Sequence, residues 1–196
     1  MKKFELTSET KINIFGKKLF RIKALISFGD VKAGETGGWV EKEENVNQSG
    51  DAWVYGDAWV YGDAMVFGNA MVSGNAKVSG DAWVYGNAKV SGDAKVSGDA
   101  WVSGDAKVSG DAWVYGNAWV YGDADYATIH GFGTQFRTTT FFRCKDKKVR
   151  VACGCFFGTI PEFREQVKDT RKGKIAEEYL VISDLMEKHF EVKSNE

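Results

Sequence analysis

From Gly50 to Ala127 the chain repeats a six-residue unit thirteen times without an insertion, beginning GDAWVY, GDAWVY, GDAMVF, GNAMVS and ending GDADYA. A period this short marks a solenoid, because one copy buries nothing alone and becomes stable only when stacked on its neighbours. The third and fifth positions are nearly fixed as Ala and Val, from Ala52 and Val54 to Ala118 and Val120, while the fourth and sixth vary. Strand side chains alternate between two faces, so Ala and Val share one face and the variable pair the other. Several variable positions are Lys, which is costly to bury unpaired, so the Ala and Val face is the inner one. Gly followed by Asp or Asn supplies each corner, through glycine's tolerance of positive φ and the Asx bond to local backbone.

An antiparallel meander with these corners would place Tyr55 beside Ala58 on one face and mix both sides of the sheet. A coil that bends at each corner without flipping keeps every Ala and Val inside. Three such sides close a triangular prism of about eighteen residues per turn. Residues eighteen apart then stack. Side one carries Trp53, Met71, Lys89, Lys107 and Asp125; side two carries Trp59, Lys77, Lys95 and Trp113. Side three carries Met65, Trp83, Trp101 and Trp119 beside Phe67, Tyr85, Ser103 and Tyr121. Side three is thus an aromatic ladder larger than a monomer leaves in water, which predicts self-association, cover by the chain's own helices, or docking of another macromolecule.

These hexads resemble the left-handed parallel β-helix of the hexapeptide-repeat superfamily, in which an aliphatic residue and a small residue four places on, here Val54 then Ala58, point inward. The resemblance implies the left hand and the three sides. The segment RIKALISFGDVKAGETGGWVEKEENVNQSGDAWVYG is similar to the entry region of YdcK-type proteins of bacteria, prophages and phages. FRTTTFFR, VRVACGCFFGTIPEFREQV and AEEYL resemble the tail of many phage and prophage hexapeptide proteins. The fold expected is mainly β, with residues 1–49 an N-terminal β cap and irregular first coil, 50–127 the β-helix, and 128–196 a C-terminal cap of hairpin and two helices.

Upstream, Phe4 to Lys11 and Lys18 to Ile26 read as a hairpin about Phe15-Gly16-Lys17. GDVKAG from Gly29 imitates a repeat with Val31 and Ala33 in the inner slots, out of phase with Gly50, so a loop is expected near Glu41 to Asn45. Downstream, Thr128 to Gly133 reads as a lead off the prism, with Gly131-Phe132-Gly133-Thr134 a linker. Thr138 to Cys144 and Val149 to Phe156 form a hairpin. Thr159 and Glu162 make a capping box for a helix from Ile160 to about Lys168. A second helix, Lys174 to Phe190, carries Ile175, Tyr179, Ile182, Leu185, Met186 and Phe190 on one stripe.

Lys plus Arg number 26 and Asp plus Glu 27. The repeats hold four basic and ten acidic groups, which argues against direct nucleic-acid binding along the prism. MKKFELTSETKINIF has no apolar targeting core, no run is long enough for a membrane span, and three cysteines without a disulfide framework favour the cytoplasm, the host's if the chain is viral. Cys144, Cys153 and Cys155 lack zinc spacing and read as free buried thiols. The stacked corner carboxylates follow from turn geometry, so no metal or cofactor is expected. Arg143, Lys145, Lys147, Lys148 and Arg150 cluster at the hairpin tip, where they protect an edge or meet an acidic partner.

Acyltransferases of the resembled superfamily use a histidine base. This chain has only His130 and His189 and no loop extruded from a coil, so an acetyl-coenzyme A-dependent acyltransferase with His130 as base is the alternative reading. The leading one is a non-catalytic scaffold or interaction protein. It acts as a dimer or trimer, or on a host protein, through Met65, Phe67, Trp83, Tyr85, Trp101, Trp119 and Tyr121 and the C-terminal cap. For a phage protein the resemblance extends this to inhibition of a host defence protein such as a nuclease.

Overall fold

The computed structural model describes residues 2–191; Met1 and residues 192–196, the outer ends of the two caps, lie outside the described residues. Twelve two-residue strands, β4 to β15, recur every six residues from Trp53–Val54 to Trp119–Val120. Each of the first nine, β4 to β12, pairs in parallel with the strand eighteen residues on. Trp53 pairs with Met71, Trp59 with Lys77 and Met65 with Trp83, and the same offset continues to Trp119. The inner Ala and Val of the first twelve hexads are fully buried, as a coil that never flips its faces requires, while Ala124 of the last is half-buried. Rungs are tied by backbone bonds such as Trp83 N to Ala100 O and Trp101 N to Ala118 O, both 2.9 Å.

The stack begins earlier than the perfect repeat. Strands β1 (Phe4–Ile12) and β2 (Lys18–Ala24) form the hairpin, and β2 pairs antiparallel with β3 (Thr36–Val40). Trp39 and Val40 of β3 pair in parallel with Trp59 and Val60, and Val46 bridges to Val66, offsets of twenty rather than eighteen. Asn45 makes this longer first circuit possible. Fully buried, it donates its amide to Gly62 O (3.0 Å) and Ala64 O (2.9 Å), carbonyls that a regular coil would satisfy with backbone N–H groups. Lys3 does the same one corner away, its Nζ donating to Gly50 O (3.2 Å) and Ala52 O (2.9 Å).

Two sequence expectations fail in this cap. Val31 is buried but Ala33 is exposed, because Phe28 and Val31 close a tight turn on each other and no coil lies before it to define an inner slot. That turn sets Phe28 against Trp53, and Phe4 packs on the other side, at ring-centre distances of 5.3 and 5.8 Å. Trp53, an outward position by its place in the hexad, is therefore fully buried.

At the other end four strands form an antiparallel meander: β16 (Tyr126–Phe132), β17 (Arg137–Arg143), β18 (Val149–Cys153) and β19 (Phe156–Thr159). The expected hairpin is its middle, and the expected lead off the prism and linker form strand β16 and the turn after it. Positive φ at Gly131 and Gly133 turns that strand into β17 despite its weak alternation. Adjacent residues of β17 point oppositely, so Phe142 packs on the solenoid core while Phe141 packs beneath the helices. The last coil is closed on all three sides. Lys107 N donates to Asp123 Oδ1 (2.7 Å), Trp113 N to Thr140 Oγ1 (3.0 Å), and Lys145 N to Asn117 O (3.1 Å).

Helix α1 (Ile160–Thr170) opens on the expected capping box, with Thr159 N donating to Glu162 Oε2 (2.7 Å) and Glu162 N to Thr159 Oγ1 (3.4 Å). Helix α2 (Lys174–Glu191) buries Tyr179, Ile182, Met186 and Phe190 against α1 and the meander. Leu185 departs from the expected stripe and is exposed. No helix among the described residues is long and apolar enough to cross a membrane.

Candidate functional site

Side three is assembled by register alone. Because Met65, Trp83, Trp101 and Trp119 sit on consecutive rungs of one sheet, their side chains meet as vertical neighbours. Trp83 and Trp101 stack nearly parallel with centres 5.2 Å apart, Phe67 and Tyr85 likewise at 4.9 Å, and Trp101 meets Trp119 edge-on at 6.4 Å. The wall is half-buried at its centre and opens toward the C-terminal end, where Trp119 is 43% and Tyr121 65% exposed. Ser103 interrupts the second column; it is fully buried, and its hydroxyl has no partner among the described residues. The helices pack on the meander and leave the wall uncovered by that route.

The basic turn is divided by its contacts. Arg143 lies 3.5 Å from Asp125 and donates to Phe190 O, and Arg150 pairs with Asp146 at 2.7 Å. Lys145 reaches side three instead, its Nζ 3.9 Å from the centre of the Trp101 ring, a cation–π contact. Lys147, in the left-handed region at φ 62°, and Lys148 border a hollow of about 440 Å³ at the start of α1.

His130 is exposed on β16, its Nδ1 3.0 Å from Thr138 Oγ1, beside a shallow hollow shared with Asp111 and Arg137. Among the described residues no carboxylate bonds its ring, as an oriented general base would have. His189 is exposed near the end of α2. Of the cysteines, Cys144 is buried and burial pushes its thiol up to about 11, so it stays protonated. Cys153 lies 3.1 Å from Thr139 Oγ1, and Cys155 is exposed, contrary to the expectation that all three are buried.

Sorting the columns missed one feature, on side two. The β1–β2 turn overhangs that wall, so Ile14 and Phe15, among the most exposed apolar residues of the chain, border a hollow of about 480 Å³ floored by Trp59, Lys77, Lys95 and Trp113. Lys11 sits over Trp39 and Trp59 at its upstream end, 4.0 and 4.6 Å from their ring centres. Burial lowers the pKa of Lys11; Asp57 works against that, and the neighbouring cations Arg21 and Lys77 add to it. The signal was available in the sequence as exposed Ile14 and Phe15 at a hairpin tip, but not the direction in which the tip leans.

The family description of the YdcK β-solenoid repeat matches residues 58–74, just short of one circuit of the prism. A comparison with curated proteins finds no match.

Proposed function

The chain is a β-solenoid of YdcK-type repeats, and from that premise we propose that it is a non-catalytic interaction protein that joins a second copy of itself through side three. The observation that carries this reading is that the wall's own rungs bring no charge, and the cation that reaches it, Lys145 from the C-terminal turn, lies over the Trp101 ring. Its eight outward positions, from Met65 to Tyr121, include no Lys, Arg, His, Asp or Glu. A two-fold contact sets a surface against itself, so any charge near the axis faces its like. Sides one and two carry the register pairs Lys89–Lys107 and Lys77–Lys95 and would repel their own copies. Side three presents stacked Trp and Tyr, the residues that dominate binding energy in protein contacts, rimmed by Asx corners.

Light scattering on the full chain tests this. The reading expects a mass of at least twice 21.7 kDa and a return to the single-chain mass in Trp101→Lys, which removes the ring beneath Lys145 and sets a second cation beside it in each copy. A second reading, a host protein on the same wall such as the defence nuclease the resemblance implies, is favoured by Lys145, whose ammonium over Trp101 suits an acidic partner. It expects a single-chain mass and loss of that partner in the same variant. Calorimetry with coenzyme A separates both from an acyltransferase, since micromolar binding at the His130 hollow would overturn the non-catalytic reading.

A further inference from the structure

Side two differs from side three in charge and in shape. Trp59, Lys77, Lys95 and Trp113 lie in register, one to a rung. Like charges side by side in a ladder repel, and here each lysine leans away from the other onto its own tryptophan. Lys77 Nζ is 4.4 Å from the Trp59 ring centre on one side, and Lys95 Nζ 5.3 Å from the Trp113 ring centre on the other. Neither ammonium is in an ion pair among the described residues. The result is a trough with two cations near its middle and an indole at each end, roughly 14 Å apart over three rungs, overhung by Ile14 and Phe15, with Lys11 adding a third cation over Trp59. Its size is that of a ligand site.

One edge of the trough carries oxygen acceptors. Asn75, Asp93 and Asp111 stack beside the lysines, with Asn75 Nδ2 donating to Asp93 Oδ1 at 3.0 Å. The occupant must therefore bring anions for Lys77 and Lys95, hydroxyl donors for Asp93 and Asp111, and apolar faces for the two indoles. DNA has no 2′-hydroxyls to donate to Asp93 and Asp111. An acidic peptide has no row of hydroxyl donors, and a neutral glycan would leave both ammoniums without an anion. A chain of uronic-acid pyranoses meets all three demands, with a C–H face, hydroxyls and one carboxylate per unit.

We propose that side two is a binding site for a linear acidic polysaccharide built of uronic-acid units. The site lies on a different wall from the self-association face, so failure of either reading leaves the other standing. Calorimetry of the full chain with hexagalacturonate tests it, using maltohexaose, hexaglutamate and a six-nucleotide oligo(dT) as comparisons. Lys77→Ser with Lys95→Ser removes the two cations, and Lys89→Ser with Lys107→Ser removes the equivalent pair from side one; thermal melts verify that both variants fold. Hexagalacturonate is expected to bind, more weakly as salt rises, and to lose about ten-fold or more in affinity in the side-two variant while the side-one variant binds as before. No binding at millimolar hexagalacturonate, an equal loss in both variants, or equally tight binding of any comparison ligand would overturn the proposal.

Discussion

Replacing Gly92 and, separately, Gly110 by Ala measures how tightly successive corners interlock. Both glycines have left-handed backbone, φ +68° and +64°, so either substitution carries the same local strain, about 1–2 kcal/mol. Their surroundings differ. A Cβ at Gly92 would lie 2.9 Å from the backbone N of Gly110 and 3.1 Å from its O, whereas a Cβ at Gly110 meets nothing within 4 Å. Backbone of the next rung cannot swing aside as a side chain can, so Gly92→Ala costs roughly a further 1–3 kcal/mol. Urea unfolding followed by tryptophan fluorescence compares the two, provided the denaturant slopes agree. Equal losses would mean that the corners do not stack at van der Waals distance, and the eighteen-residue circuit would be wrong in its packing if not in its register.

The caps make further expectations. Trp53→Ala, which empties a site enclosed by Phe4 and Phe28, costs about 3–5 kcal/mol, while Trp113→Ser, at the same hexad position but 38% exposed, costs under about 1 kcal/mol in the same melts. Asn45→Ala leaves the carbonyls of Gly62 and Ala64 without their side-chain donor and lowers stability by about 2 kcal/mol or more, read from the urea midpoint. Burial lowers the Lys3 ammonium from 10.5 to about 8, with Asp51 pulling the other way. Between those values the unfolded chain binds more protons than the folded one, so stability rises with pH across that window, by up to about 3 kcal/mol, and none of the gain is present below pH 8. Lys3→Met removes this rise, which melts of both proteins between pH 7 and 11 would detect.

The solenoid was legible because its hexads carry one instruction thirteen times. Ala and Val inside, variable residues outside and Gly at each corner call for a coil that never flips its faces; the three sides came from the resemblance to hexapeptide-repeat proteins, and the columns then follow by counting. The helices were legible from Thr159, Glu162 and an apolar stripe, all local signals. What stayed hidden depends on contacts far along the chain. Asn45 extends the stack upstream by replacing backbone donors with a side-chain amide, which no periodicity reveals. Trp53 is buried by Phe4 and Phe28, which lie 49 and 25 residues before it. Strand β16 pairs with β17 from Tyr126 to Ile129 and again at Phe132, across an irregularity at His130 and Gly131 that blurs its alternation. The side-two trough needs both the columns and the lean of the first hairpin, and only the columns can be counted.

Photo-crosslinking on side three tests the central claim most directly. With p-benzoylphenylalanine replacing Tyr85, whose ring stacks on Phe67 within the aromatic wall, irradiation of the full chain should give a covalent dimer whose attachment point maps to side three of the second copy. The same probe replacing Lys89, on side one, should give none. Equal crosslinking from both positions, or a single-chain product from position 85 at concentrations where the wild type scatters as an oligomer, would contradict the assignment of the aromatic wall as the contact surface.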